Sequence, residues 1–327
     1  MFTIAKLVLN RNYKITTHCN FNIQKAHYFM LQFFTKSKYK NHYLMHLVVF
    51  IWGFTGIIGK LVHVHAVPLV WIRIWLTIIF IGIALVIKKE NILLPKKKIL
   101  PLIFYGFLIA LHWIFFYRTI QIATVSIAVI CLSTSTFFNA LLHPIFYKEK
   151  FQLYQIGIGL AVVAAIAYIF NYQPGYEKGM IMGIVSAFFS AAFTTINGRE
   201  SKNYEPLTFS FYELLGGVLL LTPFVIFNPE YYQSFVGASS NDWLWLLVLA
   251  SVCTAFPFIA TAKVLQHINS FTVVLAINLE PIYTIIFAWL IFGDAEKMNP
   301  QFYIGTTVIL LTLFLNGYLK KRMDAKL

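Results

Sequence analysis

The stretch VVLAINLEPIYTIIFAWLIFGD, from Val273 to Asp294, is almost wholly apolar. Crossing a bilayer takes roughly 20 mainly apolar residues, so it is long enough to span. Yet Glu280 sits near its middle with Pro281 directly after it. A charge at the bilayer centre costs about 2.5–3.5 kcal/mol on insertion scales, and proline within a helix removes a backbone hydrogen bond. Neither residue helps insertion. The rest of the chain shares the apolar character: 59% of its 327 residues are hydrophobic and 12% charged, with mean hydropathy +0.72. Soluble domains run about 45–50% apolar and about 25% charged. The composition therefore excludes an ordinary soluble domain. Barrel strands alternate polar and apolar residues in segments of about 10, and these runs do not.

Apolar runs between charged or turn-rich breaks predict ten helical segments near 45–62, 68–87, 99–116, 125–147, 153–170, 179–197, 206–227, 243–262, 271–292 and 302–319. Lys and Arg are distributed unevenly across the connections. Seven precede residue 45, five lie in 88–98, and the tail from Lys320 holds four. The connections on the other side hold only Arg118, Lys178 and Lys297, whereas acidic residues divide evenly. This is the positive-inside pattern, and it predicts a multi-pass protein of the cytoplasmic membrane with both termini cytoplasmic. Topology thus accounts for the net charge of +14 without a nucleic-acid ligand.

Four regions are expected: a basic N-terminal arm at 1–44, a first five-helix repeat at 45–171, a second at 179–320, and a cytoplasmic tail at 321–327. The arm has seven basic residues, no acid, and no secretory-signal core. Cys19, Cys131 and Cys253 are scattered without C-x-x-C spacing and read as inert thiols, with neither a disulfide framework nor a metal site. No cofactor is expected. No G-x-x-x-x-G-K-[ST] run is present, which argues against ATP drive by this chain.

The halves resemble each other. YKEKF ends segment 4 and GDAEK ends segment 9, and aligning Glu149 with Asp294 gives an offset of 145 residues. That offset places Ser135 on Glu280 and Thr136 on Pro281. WGFTGIIGK of segment 1 lies opposite AAFTTINGR of segment 6, and PLVWIR of segment 2 opposite PLTFSF of segment 7. Because five is odd, the second copy enters the membrane from the other side. Inverted repeats of this kind are a frequent construction of secondary transporters.

These residues resemble the EamA-type members of the drug/metabolite transporter superfamily over roughly 45–320. The resemblance rests on FIWGFTGIIGK, the arginine of VWIRIW, IQIATVSIAVICLSTSTFFNALLHPIFYKEKF and LQHINSFTVVLAINLEPIYTIIFAWLIFGDAE. It implies a ten-helix carrier of small metabolites built as two inverted five-helix repeats, often an exporter. The chain departs from the family pattern at Thr136, where a proline is common.

Candidate residues follow from depth and chemistry. Glu280 lies roughly 14 Å into its segment at 1.5 Å per residue, near the midplane. It is expected to exchange a proton, to pair with a cationic part of the substrate, or to bond another helix. Pro281 frees the Ile277 carbonyl, and the Asn278 amide lies beside it. Arg73 is a candidate for a substrate carboxylate or phosphate through its planar fork, or for an ion pair fixing helix packing. Glu213 occupies a similar depth in the other half, with an interfacial salt bridge as the plainer reading. Trp52 fits a cavity wall or simple packing. Asn139 and His143, one turn apart, fit either the cavity or a bond between helices. Lys60 is expected to snorkel to the interface. His63 and His65 make a weak metal signal.

The pattern predicts a secondary transporter working by alternating access, probing a midplane cavity from two sides. Its expected partners are membrane lipids, a small-molecule substrate and a coupling proton, with the chain as monomer or homodimer. Both signs of charge within the segments suit an amino acid-like solute, and the aromatics suit an amphipathic one. The alternative is a membrane-embedded enzyme acting on a lipid.

Overall fold

The computed structural model describes residues 39–268, 270–277 and 279–324. Among them no strand occurs, and nine helices are long and apolar enough to cross a membrane. They are Lys40–Leu61 (span 1), Ala66–Lys88 (span 2), Lys96–Ile122 (span 3), Val125–Tyr147 (span 4), Leu153–Asn171 (span 5), Glu177–Asn203 (span 6), Pro206–Phe227 (span 7), Ser240–Leu265 (span 8) and Pro300–Leu319 (span 10). Span 9 is the tenth, in two pieces, Ser270–Ile277 and Glu280–Phe292. The arm up to residue 38 (with Cys19), Asn278 and residues 325–327 lie outside the described residues.

Span 3 continues to Ile122, beyond its expected end at 116. Arg118 does not stop it, because its side chain points outward while Thr119 and Ile120 are buried. One set of connections, the lysine-rich one, is 89–95, 148–152 and 204–205, carrying or flanked by Lys88, Lys89, Lys96, Lys148, Lys150 and Lys202. The opposite set is 62–65, 123–124, 172–176, 228–239 and 293–299. Each set is tied within itself. On the lysine-rich face Tyr212 donates to the Ile92 carbonyl (2.9 Å). On the opposite face Gln121 donates to the Val64 carbonyl (2.8 Å).

Four spans are irregular near their middles. Span 1 breaks at Phe54, between Lys40–Gly53 and Thr55–Leu61. Span 4 breaks at Ser133 and Thr134, between Val125–Leu132 and Ser135–Tyr147. Span 9 has a turn at Leu279, just before Glu280–Phe292, which is the place of Thr134 displaced by the 145-residue offset. Span 4 manages this without a proline. The Thr134 hydroxyl donates to the Cys131 carbonyl (2.7 Å), and a hydroxyl that competes for backbone carbonyls loosens a helix. Span 8 carries one π-helical segment, Ser251–Ala255, just before Pro257. Pro257 cannot donate to the Cys253 carbonyl four residues back, and one turn earlier the Thr254 hydroxyl donates to the Leu249 carbonyl (2.6 Å).

Spans 3 and 7 meet backbone to backbone. A Cβ on Gly106 would lie 1.8 Å from the Glu213 carbonyl oxygen, and one on Gly216 2.0 Å from that of Ile103. Only glycine permits such an approach, a familiar device between membrane helices. Spans 5 and 10 share a separate apolar cluster around Ile169 and Phe302. They leave the irregular spans to surround the centre.

Candidate functional site

The irregular segments of spans 1, 4 and 9 converge on a cavity of about 100 Å³. Spans 1, 2, 3, 4, 6, 8 and 9 line it; spans 5, 7 and 10 do not. Trp52 and Thr55 reach it from the break in span 1, Ser133 and Ser135 from the break in span 4, and Ile277, Glu280 and Pro281 from the break in span 9. A broken helix exposes side chains and backbone that a regular helix would bury against its own turns. Irregular backbone at membrane depth is tolerated where it lines a cavity. Ser190, Phe193 and Thr194 complete the wall from span 6, which stays regular there.

Arg73 is the dominant charge. It is 1% exposed. Its Nε donates to Thr254 Oγ1 and one Nη to Tyr117 Oη, both at 2.7 Å. The guanidinium carbon lies 3.9 Å from the centre of the Trp113 ring, within cation–π range. The π-helical segment is what brings Thr254 to this position. Among the described residues no carboxylate lies within ion-pair distance of the guanidinium, so every partner is neutral. Glu280 lines the same cavity, half-buried. Its carboxylate has no hydrogen-bond partner among the described residues. The hydroxyls of Thr55 and Ser133, also at the cavity, have none either. His112 faces the cavity while its Nδ1 meets the Ser186 hydroxyl of span 6 (2.9 Å).

The arrangement therefore presents a buried cation, a carboxylate, free hydroxyls and aromatic walls of Trp113, Phe116, Phe193 and Phe258. Groups of both charge signs thus face one enclosed space beside apolar ring faces. No nucleophile–base pair is assembled at it among the described residues.

Of the expected residues, Trp52, Arg73, Glu280 and Pro281 come together here, and Asn278 lies outside the described residues. Three others lie elsewhere. Asn139 accepts a hydrogen bond from the Thr195 hydroxyl (2.7 Å), which joins spans 4 and 6. His143 stacks on Tyr147 (centroids 4.1 Å apart) and faces Glu149 at 3.7 Å. Glu213 is fully buried, both carboxylate oxygens lack a hydrogen-bond partner, and Asn197 lies beside it. The interfacial salt bridge expected for Glu213 is absent among the described residues: the side chain is 0% exposed and faces Asn197 of span 6 inside the bundle.

Lys60 does not snorkel to solvent. It forms an ion pair with Glu296 at 2.7 Å and lies 4.5 Å from the centre of the Phe292 ring. His63 and His65 face separate acids, Asp242 at 3.5 Å and Glu230 at 3.4 Å. Thr254, Tyr117, Trp113 and Glu296 were not singled out from the sequence. Thr254 carries a faint signal there, a polar residue three positions before Pro257 in an apolar run.

Comparison with known proteins places this geometry. The sequence profile of the EamA-like transporter family matches residues 40–171 and 177–318. An uncharacterized transporter of Bacillus subtilis (strain 168), YxxF, is 22% identical over 262 residues, covering 76% of this chain and 82% of its own. A probable amino-acid metabolite efflux pump of Salmonella typhimurium (strain LT2) is 22% identical over 292 residues, covering 85% of this chain and 95% of its own. A solved crystal structure shares the fold with a TM-score of 0.63 at 13% identity, over 88% of this chain and 100% of that one. The two matched stretches are the two inverted five-helix halves, and together they make this multi-pass membrane protein a member of the EamA-like transporter family.

Proposed function

We propose that this chain is a secondary carrier that exports a small zwitterionic metabolite, amino acid-like in its charges, across the cytoplasmic membrane. Arg73 takes the solute's carboxylate and Glu280 its ammonium group. The observation that carries this reading is Arg73 itself: a buried guanidinium at a cavity, held by neutral partners only. Burying a cation without an ion-pair partner is costly; Glu280 shares the cavity without pairing with Arg73, and a carboxylate arriving from solution pairs with the guanidinium directly. The cavity volume of about 100 Å³ supports a small solute over an amphipathic drug, since sites for drug-sized ligands run roughly 300–1,000 Å³. The Salmonella relative is described as a probable amino-acid metabolite efflux pump, which supports the same class.

In this reading the two halves rock about the cavity, and the breaks in spans 1, 4 and 9 let the cavity walls move without unwinding whole helices. The solute leaves chemically unchanged. The lysine-rich face is cytoplasmic, as the positive-inside rule requires, and no coupling cofactor is involved. The test begins with untargeted metabolite comparison of culture medium from cells with and without the gene. The solute class lost from the medium on deletion is then offered to proteoliposomes holding the purified protein. Gradient-dependent uptake of unaltered solute is expected. Chemical conversion, or no movement of any zwitterion, refutes the reading.

A further inference from the structure

On the face opposite the lysine-rich one, Glu296 gathers three parts of the chain. It lies in the connection between spans 9 and 10 and is 1% exposed. Its Oε1 accepts from Lys60 Nζ at the end of span 1 (2.7 Å) and from the Val125 amide at the start of span 4 (2.9 Å). Its Oε2 accepts from the Ser126 amide (3.0 Å) and hydroxyl (2.8 Å). One carboxylate of the second half therefore holds the ends of two spans of the first half. Both of those spans break further along, at the cavity.

The contact continues inward. Phe54, at the break of span 1, stacks on Phe287 of span 9 with centroids 4.7 Å apart, and Phe50 meets Tyr283 at 5.4 Å. Spans 1 and 9 are thus closed on each other from the surface pair down to the cavity. The other face is built differently. Arg199, the repeat counterpart of Lys60, keeps a 54% exposed side chain, pairs with its own neighbour Glu200 at 3.3 Å and donates to the Phe146 carbonyl (3.0 Å). Glu149, in the turn corresponding to that of Glu296, faces His143. An exposed contact of this kind adds little, whereas a buried, fully bonded carboxylate resists separation because parting would leave it unpaired.

We propose that Lys60 and Glu296 form the latch that holds the opposite face shut, so that the resting carrier is closed on that side and the pair must separate each time the cavity opens there. This rests on the carrier reading above. The test reads access to the cavity, not flux. Cys19, Cys131 and Cys253 are replaced by alanine, and Ser135→Cys is introduced as a reporter at the cavity. Membrane vesicles of both orientations receive a membrane-impermeant methanethiosulfonate reagent, with Gln233→Cys marking the opposite face. The reporter is expected to react slowly from that face. Lys60→Met, which leaves Glu296 bonded to the start of span 4, is expected to raise the rate at least tenfold, and Glu296→Gln to raise it further. Gel filtration verifies that both variants are folded; Lys60→Met, altering a partly exposed side chain, keeps the test decisive if Glu296→Gln fails to fold. A reporter that reacts fast in the unlatched and latched proteins alike, or equally slowly in both, overturns the latch. Absence of solute flux with the labelling change intact would instead count against the carrier reading.

Discussion

Replacing Arg73 by methionine separates its two possible jobs, holding the fold and holding the solute. The residue is 1% exposed, with two hydrogen bonds of 2.7 Å to neutral hydroxyls and a ring face at 3.9 Å. Hydrogen bonds to a charged group are worth about 1.5–3 kcal/mol each, and a desolvated cation–π contact adds roughly 2 kcal/mol. Against that total of about 5–8 kcal/mol stands a desolvation cost of several kcal/mol for the ion. The two nearly cancel, and replacing buried ionic groups by apolar ones of similar volume is often neutral or stabilising. The melting temperature of Arg73→Met in detergent should therefore stay within a few degrees of the parent, by roughly 2–4 °C per kcal/mol for larger domains. Transport should respond otherwise. A solute carboxylate losing its buried charged partner costs about 2–5 kcal/mol, which at 1.4 kcal/mol per decade is roughly 30- to 3,000-fold in affinity. Proteoliposome uptake of the solute identified by the metabolite comparison, measured beside the melting curve, reads both. An unchanged half-saturation concentration refutes the binding role. A protein that cannot be purified folded refutes the energy balance and makes Arg73 a structural keystone.

Other substitutions probe the surrounding architecture. Glu280→Gln keeps the side-chain shape and removes the charge; zwitterion uptake should fall at least tenfold while a solute lacking the ammonium group is affected less, and equal losses would sink the pairing of Glu280 with ammonium. Thr254→Val removes the Nε partner of Arg73 and should weaken solute affinity by about 1.5–3 kcal/mol; a thermal melt beside the uptake assay shows whether the fold shares the loss. Glu213→Leu removes a buried carboxylate whose oxygens lie beside Asn197 without a well-formed hydrogen bond and should raise the melting temperature by the equivalent of about 1–3 kcal/mol; a fall would show that the Asn197 contact holds the fold. Gly106→Val would drive a Cβ to within 1.8 Å of the Glu213 carbonyl oxygen; overpacking costs about 1–3 kcal/mol and occasionally more, so spans 3 and 7 should part and the yield of folded protein should collapse. A normal yield would show that the two backbones are not in contact.

The breaks around the cavity were partly legible in the sequence. The LEP motif marked Glu280 and Pro281, and the 145-residue offset placed Ser135 opposite Glu280; with Thr136 where a proline is common the sequence argued against a bend there, yet Ser135 begins the second piece of span 4. The proline signal alone would have missed the break at Ser133–Thr134, because a hydroxyl there competes for the backbone that a proline would have disrupted. The π-helical segment of span 8 was not visible at all, yet it brings Thr254 to Arg73. Glu213 and Asn139 had the chemistry of cavity residues and the depth of them. Depth along a segment, though, does not fix which way a residue faces when its helix is apolar on every side.

Composition, segment length and the internal repeat determined by themselves that this chain is a ten-span membrane protein of two inverted halves. Those features are local or additive: each span must be apolar because lipid surrounds it, and the offset between the halves is a property of the string. Which polar residues share the centre was decided only by tertiary packing. Arg73 meets Thr254 across 181 positions and Lys60 meets Glu296 across 236, and such pairings follow from how closely glycines let helices approach and where helices break. Energetically a membrane helix is nearly free to rotate about its axis until its neighbours arrive, since lipid is as apolar as leucine.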